Sequence, residues 1–176
     1  LKSAQNRGPF GHSESADLRA RITERKALAM KILFLGDVMG SAGRAAVIER
    51  LPKLRVDWKL DFVVVNAENP SASMALPGEH AKPSTTAGAD VLTLGDHAFD
   101  QKDMLSFINS EPRIVRPINF AKDAPGKGFR LFSTQRGQKV LVAQVLGQVF
   151  MKRPFDDPFS ALEPVLKAHP LGGLAN

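Results

Sequence analysis

Three short apolar runs, each closing on side chains able to bind a metal ion, constrain this chain more than any other feature. Lys31-Ile-Leu-Phe-Leu35 ends in Gly36-Asp37, residues 61–65 (Asp-Phe-Val-Val-Val) lead into Glu68-Asn69, and residues 90–94 (Asp-Val-Leu-Thr-Leu) end in Gly95-Asp96-His97. Runs of this length, rich in β-branched residues and bounded by glycine or polar side chains, predict buried strands. Helical periodicity falls between and after them. Residues 42–54 carry Ala46, Val47, Leu51 and Leu54 at helical spacing, with Pro52 predicted to end or kink the helix. Residues 101–109 predict a second helix and residues 158–168 a last one. Residues 114–120 and 129–133 are weaker strand candidates, and 139–146 (Lys-Val-Leu-Val-Ala-Gln-Val-Leu) is a strong one. Strands alternating with helices predict an α/β fold, a sheet layered with helices. One stretch conflicts with that rhythm. Between Asn69 and Asp90 a crossover helix is required, yet Pro70, Pro77, Gly78, Pro83 and Gly88 disfavour a long one.

Composition narrows the class. A chain of 176 residues with 43% hydrophobic and 24% charged side chains is long enough for one domain with one core. The absence of cysteine excludes disulfides and thiolate metal sites. No apolar run approaches bilayer length and the amino end lacks an apolar signal region, so a cytoplasmic protein with no membrane partner is expected. Residues 1–17 are polar, broken by Gly8, Pro9 and Gly11, and read as disordered; residues 18–29 suit a short basic helix or an upstream extension. The domain is therefore expected over 30–176. The net charge of +6 suits a phosphate-bearing substrate but is weak evidence for nucleic acid.

The chemistry lies just beyond the end of each strand. In an open α/β sheet ligands gather outside the carboxyl ends of the strands. Adjacent parallel strands would bring Asp37, Glu68, Asn69, Asp96 and His97 into one crevice. Carboxylates, an amide oxygen and an imidazole form a mixed O/N ligand set for Mn, Fe, Zn or similar ions. Any one of these residues alone is more often a turn or helix-cap residue. Five at three successive strand ends favour a shared site.

Read in order, Met30-Lys-Ile-Leu-Phe-Leu-Gly-Asp37-Val-Met-Gly-Ser-Ala-Gly-Arg44, Asn66-Ala-Glu68-Asn69, Leu94-Gly-Asp96-His97-Ala-Phe-Asp100, Arg116-Pro-Ile-Asn119-Phe, Pro125-Gly-Lys-Gly128 and Asp156-Asp-Pro-Phe159 resemble the YmdB-like branch of the calcineurin-like metallophosphoesterases. The resemblance runs from Met30 to about Leu171. It implies the N-terminal part of a four-layer α/β/β/α sandwich and a dinuclear centre of two divalent ions, Fe, Mn or Zn. It implies a phosphodiesterase acting on phosphate esters such as 2′,3′-cyclic AMP through an activated hydroxide. Asp37 would bind the first metal and Glu68 would bridge both. Asn69 would touch metal or phosphate, Asp96 would bind the second metal, and His97 would lie beside the phosphate as general acid or charge stabiliser. Asp96 stands where the family usually has asparagine. The later His-x-His pair of the family has no counterpart among His12, His80 and His169, so the chain is expected to be truncated at its carboxyl end. His169, before Pro170, is expected to be a surface or capping residue.

Two other readings stay open. A catalytically incomplete fragment would bind nucleotide or RNA, or act as a regulatory protein, without turnover. The same chemistry could instead serve a nucleotide monoester or a phosphoprotein. Residues 140–146 are expected to form an exposed apolar strand if half the sandwich is missing, giving poor solubility or a homo-oligomer.

Overall fold

A computed structural model describes residues 29–67, 87–100, 102–151 and 154–175, and the fold belongs to the unit Lys31–Asn176. Its first half is a four-stranded parallel sheet in the order β1-β2-β3-β4: β1 (Ile32–Leu35), β2 (Phe62–Asn66), β3 (Val91–Thr93) and β4 (Ile114–Val115). The register pairs Leu35 with Val65, Asn66 with Thr93, and Thr93 with Val115. All four carboxyl ends therefore share one edge. Helix α1 (Gly40–Asp57) joins β1 to β2, and α2 (Lys102–Ser110) joins β3 to β4. The link between β2 and β3, the stretch between Asn69 and Asp90 where helix and breakers conflict, lies almost entirely outside the described residues.

One face of this sheet holds the main core. Leu51 of α1 and Met104 and Ile108 of α2 pack with Val63, Leu92 and Ile114 of the strands, all nearly inaccessible to solvent. Each such side chain contributes roughly 1.5–3 kcal/mol by leaving water. Pro52 does not end α1, which continues to Asp57. Pro52 sits on the exposed face, while Leu51 and Val47 hold the helix on the core side. The opposite face is buried at β2, where Phe62 meets Phe132 with ring centroids 5.8 Å apart.

Phe132 belongs to β5 (Phe129–Ser133), which pairs antiparallel with β6 (Lys139–Ala143) in a second sheet. Phe129 lies on the other face of β5 from Phe132, because side chains alternate along a strand. There it meets the ring of His169, 5.6 Å away, at the carboxyl end of α3 (Pro158–Ala168). The order is thus helices, parallel sheet, antiparallel sheet, helix, which is the layering expected of part of an α/β/β/α sandwich. His169 is a capping residue, its Nδ1 2.8 Å from the Val165 carbonyl. The two sheets join where Ile118 N donates to the Gln144 carbonyl at 2.7 Å and Gln144 N to that of Gly128 at 3.2 Å.

The strand over residues 140–146 is not open to solvent. Val140 and Val142 are buried because β6 presents these side chains inward, and Leu146, beyond the strand, is buried in the core. The exposed apolar strand is β1 instead: Ile32 is 48% and Phe34 60% exposed, while Leu33 and Leu35 pack on the core. No helix among the described residues is long and apolar enough to cross a membrane.

Candidate active site

Asp37 follows β1 closely and adopts a positive φ of 43°. Non-glycine residues rarely enter this region, and aspartate is among the few that tolerate it. The turn is held on the β2 side by Val38 N, which donates to the Asn66 carbonyl at 3.2 Å. Shortly after, α1 begins at Gly40. Its N-cap Met39 offers no side-chain acceptor and its first turn carries no acidic residue. The positive end of an 18-residue helix therefore opens beside Asp37 without a carboxylate on it.

At β3 the chain turns sharply. Leu94 N donates to the Val115 carbonyl at 2.9 Å, and the turn then closes on its own backbone: Ala98 N donates to Gly95 O at 3.2 Å and Asp100 N to His97 O at 3.1 Å. Buried Ala98 and the ring of Phe99, 5.6 Å from that of Phe120, anchor it from below. This leaves the Asp96 and His97 side chains at the surface. His97 Nδ1 lies 2.7 Å from Asp100 Oδ2, and its Nε2 lies 3.7 Å from Asp96 Oδ1. Buried Asn66 and Thr93, whose side chains approach at 3.4 Å, floor the edge between β1 and β3.

Asp37, Asp96 and His97 thus stand on one edge of the sheet, at the ends of β1 and β3. Two strand spacings of about 4.8 Å separate these strands, and the end of β2 lies between them. Glu68 and Asn69, the donors expected there, lie outside the described residues. Among the described residues no three His, Asp or Glu side chains are close enough together to hold a metal ion. The donors that are described nevertheless suit divalent ions, being two carboxylates and an imidazole.

Two motif residues have other work. Arg116, which opens the motif Arg116-Pro-Ile-Asn119-Phe, is buried, and its guanidinium donates to the carbonyls of Pro125, Pro117 and Ala124 at 3.0, 2.7 and 3.0 Å. Burial pushes its pKa down from the usual arginine value. Asn119, almost fully buried, exchanges hydrogen bonds with the Leu146 backbone and donates to the Asp156 carbonyl at 3.0 Å. Both hold loops rather than substrate. Sequence reasoning gave Asp100 no role, although its place three residues after His97 was the available signal.

The profile of the YmdB-like protein family matches residues 33–172. The chain belongs to this family. Among its relatives, the 2′,3′-cyclic-nucleotide 2′-phosphodiesterase of Bacillus subtilis is 39% identical over 130 residues, covering 74% of this chain and 48% of the relative. Two solved structures share the fold, each with a TM-score of 0.69. One is a hypothetical protein from Thermus thermophilus, 37% identical over 78% of this chain and 53% of its own. The other is described as a novel phosphatase from Mycoplasma pneumoniae, 30% identical over 79% of this chain and 51% of its own. The chain spans about half the length of the YmdB-like relatives it matches.

Proposed function

We propose that this chain carries the first half of a metal-dependent phosphodiesterase site whose substrates are phosphate esters, with 2′,3′-cyclic nucleotides foremost. The observation that carries the reading is the shared edge of β1 and β3, with Asp37, Asp96 and His97 upon it. The name of the Bacillus subtilis relative supports the substrate class. Asp37 would hold the first ion and Asp96 the second, with Glu68 bridging and Asn69 touching metal or phosphate. Manganese, iron and zinc all suit this donor set. A bound pair of such ions supplies charge neutralisation and an activated water for in-line attack at phosphorus. This chain's own part in the reaction is to orient the ester and move a proton. As a new bond from hydroxide oxygen to phosphorus forms, the water proton having already gone to solvent, and the bond to the leaving oxygen breaks, a protonated His97 would donate its Nε2 proton to that oxygen. The uncapped end of α1 favours the phosphate charge beside Asp37. Residues 1–29 would lie outside the domain.

A second reading has an observation of its own. Among the described residues the metal donors fall short of a closed set, and the chain spans half of its relatives' length. Such a chain could bind nucleotide or RNA, or act as a regulatory protein, without turnover. Elemental analysis of protein purified with manganese or iron separates the two. Two ions per chain with hydrolysis of 2′,3′-cyclic AMP supports the enzyme, and preference for a monoester would change the substrate class. No bound metal, with nucleotide still retained, supports the binding protein.

A further inference from the structure

We propose that the cleft at the amino ends of the parallel strands, on the edge opposite Asp37, Asp96 and His97, is a second binding site that takes a nucleoside monophosphate. Its volume is about 430 Å³, within the range of small-molecule sites. Phe62 opens β2 there, Asp90 precedes β3 and Arg113 precedes β4. Arg55 reaches in from the last turn of α1, and Phe132, Ser133 and Gln135 come from the end of β5 and the turn after it. The five residues of β2, about 13 Å from end to end, separate this cleft from the opposite edge. None of this depends on the phosphoesterase reading.

The carboxylates at the cleft are already engaged. Asp90 accepts from Arg55 Nη1 at 2.7 Å and Nη2 at 3.1 Å, and its Oδ2 also accepts from Val63 N at 2.7 Å. Glu111 takes Arg113 Nε at 3.0 Å and Nη2 at 3.1 Å. Arg113 Nη1 is left without a partner among the described residues, on a side chain that is 40% exposed. The Lys139 ammonium donates to Ser133 Oγ at 2.7 Å and brings a further positive charge to the cleft wall. A phosphate therefore meets guanidinium and hydroxyl donors, and charge-assisted bonds of this kind are the strong ones. Half-buried Phe132, backed by Phe62, supplies a flat apolar wall on which a ring can stack. Gln135, on the exposed turn, makes no hydrogen bond among the described residues. Its amide offers donor and acceptor together, which the edge of a nucleobase uses and a simple aromatic acid does not. Phosphate, ring and base edge each find a counterpart in one cleft.

The test is calorimetric titration of the full chain, stripped of metal with chelator, using adenosine 5′-monophosphate, adenosine and inorganic phosphate as separate ligands. The monophosphate should bind once per chain and raise the melting temperature, because it ties α1 and the second sheet to the parallel sheet only in the folded chain. Adenosine and phosphate, each with part of the contacts, should bind at least about 10-fold more weakly. Gln135→Glu puts a carboxylate on the wall in place of a side chain that the fold does not use. It should melt like the wild type and bind the monophosphate about 10-fold or more weakly. Arg113→Met should weaken binding about 10- to 100-fold, and Gln135→Glu carries the test if Arg113→Met does not fold. His97→Ala, altered at the opposite edge, should bind as the wild type does. Four results would each overturn the proposal: no binding up to about 10 mM monophosphate, phosphate or adenosine alone binding as tightly, affinity unchanged in Gln135→Glu, or binding lost in His97→Ala.

Discussion

Asp37 is the residue whose backbone and side chain make opposing demands. Its φ of 43° suits glycine, and a non-glycine residue there costs roughly 1 kcal/mol or more. A strained position that keeps a carboxylate points to a use for that carboxylate. Asp37→Gly is expected to leave the metal-free chain as stable or up to about 1 kcal/mol more stable, since relief of strain offsets the added chain entropy. It should also lower metal content. Denaturation in chelator and elemental analysis check the two halves, and a loss above about 1 kcal/mol would show that the Asp37 side chain is structural. Gly128 is the converse case. A Cβ there would stand 2.4 Å from Ile118 Cα, where two backbone segments join the sheets. Gly128→Ala should cost about 3 kcal/mol in urea unfolding, because backbone on both sides cannot yield. A cost below about 1 kcal/mol would mean the junction can open.

At the scale of elements, the edge opposite the site is tied by Asp61. Its Oδ2 accepts from Lys31 N at 2.8 Å and lies 2.6 Å from Arg136 Nη2, joining the starts of β1 and β2 to the turn between β5 and β6. The Lys31 backbone bond, aided by Arg136, pulls the Asp61 carboxyl below its ordinary value against an opposing desolvation effect. A depressed folded pKa means stability that is present above the unfolded value of about 3.9 and lost as pH falls through the folded one. Asp61→Asn should therefore flatten the decline of stability below about pH 4 and weaken the fold at neutral pH. Unfolding free energies measured across the acid range up to neutrality check this; parallel curves for the two proteins would exclude Asp61 from the acid response. In α3 the Asp157 side chain accepts from Ser160 N at 2.7 Å and Pro158 occupies the first turn, so the family motif Asp156-Asp-Pro-Phe159 is a helix start as much as a functional signature.

For the molecule as a whole, the apolar surface that the described residues leave open bears on association. β1 ends the parallel sheet with Ile32 and Phe34 exposed, and Phe159 and Leu166 of α3 are also open to solvent. An uncovered edge strand with apolar side chains invites pairing with a second chain. The chain is expected to self-associate, and Ile32→Lys with Phe34→Lys should shift it towards monomer in sedimentation velocity without altering its stability by more than about 1 kcal/mol, as both side chains already face water. A monomeric wild type at high concentration would show that this edge is tolerated.

The local code of the chain determined the elements and the order of its chemistry. β-Branched runs became β2 and β3, helical spacing became α1, α2 and α3, and Asp37, Asp96 and His97 followed their strands as read, because these features depend on residues only a few positions apart. Tertiary packing decided the rest. It carried α1 through Pro52, reduced residues 114–120 to a two-residue strand, and buried residues 140, 142 and 146 while leaving β1 open. It drew Arg116 onto carbonyls and Asn119 onto the Leu146 backbone, since a buried polar group must find partners wherever the chain happens to pass. The pairing of Asp100 with His97 was likewise invisible in one dimension: spacing can bring two side chains near each other, but only the closed turn fixes which nitrogen meets the carboxylate.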